Sequence, residues 1–411
     1  MITASHWLAW RTIQPQSMEQ IPLEMTRIKI AFLLALTLST RLMGQSNQER
    51  LTEDLSKHFK TSHLPGFAVA IVNADSILYQ ESFGFENIQT KTPFSLSKRF
   101  YVASITKTFI GIGLMKLLEE GKLALSTPIN DILPFEVVNP HYKDNPITVE
   151  HLARHTSSIL NGNLALKSWY LDDEFDFEKK EIGKMAFNDF TSWAKNTKME
   201  LGDFLKESLS SEGSLYSKKT FSKTTPGAHY EYSNVGAALA AYIIELKTGV
   251  SFDQYVENFI TNELHFKPGV WRHHQGNELP ITYFQTQVEA PIHRPSLYPT
   301  GGMMLSCEEL ALYVKEMING YEGKSQILHQ DSFLKMMSSP DIGKGGLFWE
   351  LNGDTIGHNG GNYGVTCFMG FDKTTGIGKL FMTNISSYKN GNLLQEMIAI
   401  WKKLSQYEST L

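Results

Sequence analysis

The sequence predicts an α+β fold, and three observations support this class. Two strand-like segments, FAVAIV and SILYQ, flank a polar turn near the N-terminus. Four further strand-like segments, GLFWELN, DTIGH, GVTCFMG and GKLFMTN, lie close together near the C-terminus. Long apolar helical patterns occupy the region between them. Because strands and helices are separated along the chain, we expect one antiparallel sheet built from both chain ends and flanked by helices, with a mostly helical subdomain, about residues 101–295, inserted.

The individual elements follow from periodicity and from their end signals. The turn between the first two strands is Asn73–Asp75, which predicts a hairpin. The second predicted helix is apolar on more than one face, so we expect it to be buried. The tail strands are separated by Gly and Asn. The predicted helices are residues 47–60, 102–120, 235–247, 309–318 and 393–404.

Composition restricts the classes of function. The chain has 411 residues, 42% hydrophobic and 20% charged, which is typical of a globular protein with a large core. The formal net charge of −5 provides no basic surplus for phosphates, so we expect no nucleic-acid partner. The only two cysteines, Cys307 and Cys367, exclude a disulfide-rich scaffold but leave one bridge open.

The first 44 residues are interpreted as a leader and a signal peptide. Arg27 and Lys29 precede a short apolar run, IAFLLALTL, and the small residue Gly44. The run is too short to span a bilayer, so we expect no stable membrane anchor beyond the signal. The protein would then be periplasmic or secreted, with one domain over 45–411. A buried N-terminal helix is the alternative, and Met25 is a second possible start.

The first candidate for chemistry is the S-x-x-K motif of Ser104 and Lys107, at the head of the long apolar helix. Residues three apart share a helix face, and free backbone N–H groups at a helix start favour an oxyanion. A lysine in an apolar site loses its proton more easily and can activate the serine. The alternative is a serine that only caps the helix and a lysine in solvent.

Two further motifs carry polar groups. Tyr232-Ser233-Asn234 precedes an alanine-rich helix; a phenolate favoured by a nearby ammonium can relay a proton, and Asn234 can position a substrate amide. The alternative for this triplet is a capped strand-to-helix turn.

His358-Asn359-Gly360-Gly361 lies between two predicted strands. Its glycines permit close backbone approach, and one of its N–H groups can complete an oxyanion hole with that of Ser104. His358 can bind a substrate carboxylate or move a proton. The alternative for this stretch is an Asn-Gly hairpin turn.

The remaining polar clusters are interpreted as structural. His151 and His155 have the spacing of helical metal ligands but no third ligand, so we expect no metal and no cofactor. Arg272-His273-His274 is interpreted as a solvated surface run.

The order S-x-x-K, Y-x-N, H-x-G resembles the serine β-lactamase-like superfamily, which includes class C β-lactamases, D-alanyl-D-alanine carboxypeptidases and related esterases. ITVEHLARHTSS and YPTGGMMLSCEELALY resemble further segments of that family, and the resemblance covers about residues 47–405. It implies the β-lactamase-like (DD-peptidase) fold. It also implies that Ser104 is the nucleophile, that Lys107 and Tyr232 form the base system, and that Asn234, His358, Gly360 and Gly361 bind substrate and oxyanion.

Three departures qualify that resemblance. His358 stands where penicillin-recognising members have lysine, which weakens the case for β-lactams. Ser158 replaces a glycine and Leu305 replaces a serine. Residues 161–225 show no family pattern, and they either shape the cleft or form surface.

We therefore expect an exported serine hydrolase that acts through an acyl-enzyme on an ester or amide, either a small molecule or a peptide. The substrate can be an ester, a D-amino-acid peptide or a β-lactam. A non-catalytic binding or sensing protein on the same fold is the alternative, because a fold does not fix a function.

Overall fold

Seven antiparallel strands form the main sheet of the protein. The computed structural model describes residues 46–172, 183–268, 271–274, 279–339, 345–387, 390–408 and 410–411. The predicted leader and signal peptide, 1–44, lies outside these residues. The strands are β1 (Gly66–Val72), β2 (Ile77–Asn87), β3 (Thr92–Pro93), β10 (Glu350–Asn352), β11 (Thr355–Asn362), β12 (Val365–Asp372) and β13 (Ile377–Thr383). In the described residues their order in the sheet is β10-β11-β12-β13-β1-β2-β3.

The two chain ends meet in the middle of this sheet. Strand β1 pairs with β13, with Phe67 opposite Thr383, and on its other side with β2. The N-terminal hairpin and the C-terminal strands therefore form one sheet, which confirms the predicted α+β class and the predicted origin of its strands. The turn between β1 and β2 is held by Asn73, whose side-chain oxygen accepts hydrogen bonds from the backbone N–H groups of Asp75 and Ser76.

Strand β1 is buried along its whole length because both faces of the sheet are covered. Phe67, Val69 and Ile71 point to one face, and the residues between them point to the other. On the first face lie α1 (Asn47–Thr61) and α11 (Gly391–Tyr407). These two helices contribute the apolar side chains Leu51, Leu55, Leu393, Met397, Ile400 and Leu404 to that cluster.

The second face packs against α9 (Cys307–Tyr321) and leads to the helical part of the protein. A Cβ atom on Gly378 of β13 would lie 2.5 Å from Val314 Cγ1, so a glycine permits the close approach of α9. The remaining helices are α2 (Thr106–Glu119), α3 (Val149–Ala153), α4 (Leu164–Lys167), α5 (Lys184–Trp193), α6 (Leu201–Leu209), α7 (Asn234–Thr248), α8 (Phe252–Val256) and α10 (Gln330–Met336).

Among the described residues, six short strands form three separate two-stranded sheets beside the main sheet. They are β4 (Phe100–Tyr101), β5 (Trp169–Leu171), β6 (Tyr283–Gln285), β7 (Val288–Glu289), β8 (His293–Pro295) and β9 (Met304–Leu305). Within the described ranges, no single helix is long and apolar enough to cross a membrane. Helix α7 and residues 252–261, bent by 74° from each other, pass such a test only as a pair, and on length and composition alone.

The predicted helices all occur, each within a few residues of its expected bounds. The long apolar helix α2 is buried on nearly every face, as expected, and packs against α7. One predicted strand is only partly correct. In the segment GLFWELN, residues 350–352 form β10, whereas Phe348 has a φ of 59° and donates its backbone N–H to the Ala153 carbonyl. This backbone bond to α3 replaces the pairing that a longer strand would make.

Candidate active site

Ser104 lies in a 3-10 turn, Ala103–Ile105, which leads directly into α2. The residue before the helix is Ile105, and no side chain caps α2, so Ser104 does not serve as a helix cap. Ala103 has a φ of 46°, an unusual value for a residue with a Cβ atom. The turn therefore holds a strained backbone beside a partly exposed serine hydroxyl, as functional sites often do.

Lys107 is fully buried in the first turn of α2, and its amine contacts the serine. Its Nζ donates to Ser104 Oγ at 3.0 Å and to the Thr300 carbonyl oxygen at 2.6 Å. Burial lowers the pKa of Lys107 from 10.5 to about 7, and the carboxylate of Glu350 partly opposes this shift. A large fraction of Lys107 is therefore neutral at neutral pH and can accept a proton from Ser104.

Tyr232 lies on the other side of this pair. The centre of its ring is 5.2 Å from Lys107 Nζ, and its phenol hydrogen-bonds to Ser104. Burial raises the pKa of Tyr232 well above its usual value of 10, and the interaction with Ser104 only partly opposes this rise. The proposed phenolate is therefore not supported: Tyr232 is a neutral phenol, and Lys107 is the better base.

Two residues that sequence reasoning did not assign to the site hold Tyr232 in place. The buried ring of His155 packs 4.5 Å from the Tyr232 ring, and His155 Nδ1 accepts the backbone N–H of Ser233. Asn161 donates its side-chain N–H to the Tyr232 carbonyl oxygen at 3.2 Å and accepts the Asn234 N–H at 2.7 Å. Asn161 is the first residue of the segment without a family pattern, so no motif marked it.

The Tyr-Ser-Asn triplet also starts α7. Ser233 is the cap residue, since its hydroxyl accepts the Gly236 N–H at 2.9 Å. Asn234 is the first helical residue, and its side chain lines the cavity that contains Ser104. Within the described residues it makes no hydrogen bond to Lys107. Ser233 therefore caps the helix, and Asn234 lies where it can contact a substrate.

The third motif lies inside strand β11, not in a turn. His358 pairs with Met369 and Gly360 with Cys367, and the hairpin turn follows at Tyr363–Gly364. The Asn-Gly hairpin interpretation is therefore wrong. A Cβ atom on Gly360 would lie 2.2 Å from the Val102 carbonyl oxygen, so only glycine lets β11 approach the nucleophile turn this closely. Gly361 lines the same cavity as Ser104.

His358 is a buried, neutral imidazole. Burial and the nearby Lys107 lower its pKa to about 3, and its Nδ1 donates to the Asn359 carbonyl oxygen at 2.6 Å. At neutral pH it therefore offers no positive charge for a substrate carboxylate. The centre of its ring lies 6.3 Å from the centre of the Tyr232 ring.

Glu350 is a third residue that the motifs did not assign to the site. Asn359 Nδ2 donates to its Oε2 at 3.1 Å, and burial raises the pKa of its carboxyl group. Its charge acts on Lys107 and favours the protonated lysine. Glu350 lies at the start of β10, the part of the predicted strand GLFWELN that does form, and no motif indicated this role.

A cavity of about 180 Å³ opens beside Ser104. Its lining residues on α4, β5 and α5 show that the described part of the polar stretch 161–225 shapes the cleft. Trp169, Trp193 and Tyr363 provide aromatic walls, and the Tyr363 hydroxyl donates to Asp189 Oδ2 at 2.8 Å. Asp189 is the only residue of the types Asp, Glu, Lys, Arg and His among the described residues that line this cavity.

Other sequence expectations are settled by burial and geometry. Cys307 and Cys367 are both buried and unpaired, and burial raises the pKa of each thiol to about 12. Arg272 is 2% exposed, with its guanidinium 3.9 Å from the centre of the Tyr101 ring, so the surface interpretation is wrong for Arg272, whereas the His274 side chain is 38% exposed. Ser158 has a φ of 63°, a conformation in which a glycine costs less.

Comparison with known proteins gives the family. The beta-lactamase family model matches residues 49–396. The chain belongs to this family. This confirms the resemblance that the three motifs indicated.

Individual relatives are distant. The chain is 22% identical to Protein flp of Staphylococcus aureus (strain N315) over 358 residues, which cover 85% of this chain and 65% of that protein. Two solved structures are similar in fold. They are the octameric penicillin-binding protein homologue from Pyrococcus abyssi (TM-score 0.64, 23% identity, 82% of this chain and 73% of that chain) and the D-amino acid amidase from Ochrobactrum anthropi SV3 (TM-score 0.62, 20% identity, 87% and 99%).

Proposed function

We propose that this protein is a serine hydrolase that cleaves an ester or amide through an acyl-enzyme. Neutral Lys107 takes the Ser104 proton, directly or through the Tyr232 hydroxyl, while Ser104 Oγ forms a bond to the substrate carbonyl carbon. The carbonyl oxygen becomes an oxyanion, which the backbone N–H groups of Ser104 and Gly361 stabilise.

The second half of the reaction returns the proton. The leaving amine or alcohol takes it from the Lys107–Tyr232 pair as its bond to carbon breaks, and the acyl group remains on Ser104. Water then loses a proton to the same pair as its oxygen bonds to the acyl carbon. The bond between that carbon and Ser104 Oγ breaks, and the pair returns the proton to Oγ, which releases the acid and regenerates the serine.

One observation carries this proposal: the buried Lys107 Nζ lies 3.0 Å from Ser104 Oγ. Burying an amine is expensive, and a structural lysine would be better replaced by an apolar side chain. A non-catalytic binding protein would gain nothing from a lysine whose pKa is lowered toward 7 beside a serine. The binding-protein alternative is therefore not favoured.

A fluorophosphonate probe tests the mechanism, because it labels a serine only when that serine is activated. We expect one label per chain on Ser104 and no label on Ser104→Ala. Ser97→Ala, which changes an exposed serine, is the matched control and should label like wild type. Labelling that survives in folded Ser104→Ala, or an unlabelled wild type, would contradict the assignment.

For the substrate, we propose an amide or ester that carries a positively charged amine close to the bond that is cleaved. The argument is the cavity beside Ser104, where one carboxylate, Asp189, stands among three aromatic rings. Carboxylates and aromatic faces both attract an ammonium group. Amides of D-amino acids are the first compounds to test, since a D-amino acid amidase shares the fold.

The amine preference has its own experiment. Each amino-acid amide is compared with its N-acetylated form, which removes the charge. We expect a higher kcat/KM for the free amine, and a loss of about tenfold or more in that preference for Asp189→Asn, since a hydrogen-bonded charge contributes roughly 1.5–3 kcal/mol. Asp331→Asn, in an exposed part of α10, is the control. Equal rates on both forms would refute the amine but leave the serine mechanism intact.

We also propose that the protein is exported, on the basic and apolar pattern between Met25 and Gly44. The mature chain should begin near Gln45 and lie in the periplasm or outside the cell. N-terminal sequencing of native protein decides this, and an intact leader on protein from the cytoplasm would refute it.

A further inference from the structure

A second cluster of polar side chains lies on a separate cavity. Asp253 of α8 and the pair His273-His274 point their polar atoms at one another: His273 Nε2 is 3.1 Å and His274 Nε2 is 2.5 Å from Asp253 Oδ2. One ligand atom from each residue lies within 4.8 Å of the other two. None of the three lines the cavity of Ser104.

We propose that Asp253, His273 and His274 bind a divalent transition-metal ion, with zinc as the reference ion. Two imidazoles and one carboxylate are a ligand set that zinc and its first-row neighbours prefer, whereas calcium and magnesium prefer oxygen ligands alone. Three protein ligands would leave at least one position for water or a small molecule.

The distances fit this assignment with one small adjustment. Zinc bonds of about 2.0–2.1 Å in a tetrahedral site place neighbouring ligand atoms roughly 3.3 Å apart. The 3.1 Å from His273 to Asp253 is already close to that value. His274 would have to move back by less than an ångström, and its side chain is 38% exposed and has room to rotate.

Charge around the cluster also favours a cation. The cavity it lines has a volume of about 600 Å³, and its wall carries Glu200, Glu245, Asp253 and Lys198. Lys198 is already paired with Glu200 at 2.8 Å, which leaves an acidic excess.

The site would stabilise a segment that the active site uses. The His273 ring stacks on Tyr298 at 3.9 Å, and Tyr298 begins the turn that ends at Thr300. The Thr300 carbonyl oxygen is the acceptor for Lys107. A bound ion would fix the His273 ring, and through its stacking on Tyr298 it would stabilise the turn of residues 298–300. The ion takes no part in bond cleavage in the proposed mechanism, although its presence would depart from the sequence expectation of no metal.

The affinity should be moderate. Metal-binding histidines usually donate their second N–H to an acceptor, and loss of such a partner weakens binding about 10- to 100-fold. His273 Nδ1 is buried and has no partner among the described residues. We therefore expect zinc to bind about 10- to 100-fold more weakly than at a similar site whose histidines have such a partner.

Titration calorimetry with ZnCl2 on chelator-treated full-length protein tests the proposal. We expect one ion per chain, visible absorption bands when cobalt(II) replaces zinc, a higher Tm with zinc, and no binding of calcium. His273→Gln and Asp253→Asn should each weaken zinc at least tenfold. His329→Gln, an exposed histidine elsewhere, should bind like wild type.

His274→Gln covers the case in which a buried variant does not fold, because it alters the most exposed of the three side chains. It should keep the metal-free Tm of wild type and still lose at least tenfold in affinity. No saturable binding, or equal binding by wild type and His274→Gln, would overturn the proposal. The Ser104 labelling experiment is independent of both results.

Discussion

Replacing Lys107 by methionine should change how stability depends on pH. The native state releases the Lys107 proton near pH 7, whereas the unfolded chain holds it until about pH 10.5. Between these values the unfolded state binds one more proton, so the stability of wild type rises with pH by up to roughly 1.4 kcal/mol per pH unit. Methionine has no such proton, and its variant lacks this rise.

The structure sets the size of the effect. At pH 7 the burial of Lys107 costs wild type roughly 4 kcal/mol, from the shift of its pKa from 10.5 to about 7. The methionine variant avoids this cost but leaves the Thr300 carbonyl without its donor, a loss of about 1–3 kcal/mol. The variant should therefore be more stable than wild type near pH 7 by roughly 1–3 kcal/mol, and less stable near pH 10, where the burial cost has nearly vanished.

Urea unfolding of both proteins at pH 7, 8, 9 and 10 measures the two stabilities. We expect the curves of stability against pH to cross between pH 7 and 10. Lys122→Met is the control: its side chain is 56% exposed, and its difference from wild type should not depend on pH. A constant difference between wild type and Lys107→Met would show that Lys107 keeps its proton in the folded state, and the neutral-lysine mechanism would fail.

Four further predictions concern the rate. The kcat/KM of wild type should fall about tenfold per pH unit below pH 7 and level off above it, because the active Lys107 is the neutral one; a flat profile would exclude this. Lys107→Ala and Tyr232→Phe should each cost on the order of a hundredfold in acylation, and the double variant little more, whereas losses that multiply would indicate independent roles. Gly360→Ala should lower kcat about a hundredfold, since its methyl group would lie 2.2 Å from a backbone oxygen of the nucleophile turn. Asn161→Ala should lower kcat more than Asn163→Ala, an exposed neighbour, and equal values for the two would deny Asn161 a positioning role.

The main elements of the fold were predictable because their patterns are local. Phe67, Val69 and Ile71 alternate with small residues, which identifies a strand, and the apolar stretch after Ser104 is too wide for an exposed helix. The bend at Phe348 was not predictable. It depends on a backbone hydrogen bond to Ala153, almost two hundred residues earlier, and the local sequence still looks like a strand.

The candidate site divides in the same way. Ser104 and Lys107 are neighbours through helical spacing, so the chain itself indicates their contact. Asn161 contacts Tyr232 through an ordinary side-chain amide, and Thr300 contacts Lys107 through a backbone carbonyl. Neither group forms a sequence motif, and only the folded chain brings them to the site. The His273-His274 pair looked like surface because its acidic partner lies twenty residues away on another element.

The choice of the base follows from one property of the site. Removing water disfavours whichever form of a group is charged, so it lowers the pKa of Lys107 and raises that of Tyr232. Burial therefore destabilises both charged partners of the ammonium–phenolate ion pair that the sequence suggested. The state with a neutral amine and a neutral phenol gains, and in it Lys107 alone has a free lone pair of useful basicity. Tyr232 can still move the proton, because its hydroxyl both donates and accepts. In the proposed mechanism, this buried and uncharged pair therefore takes the proton of Ser104 near pH 7.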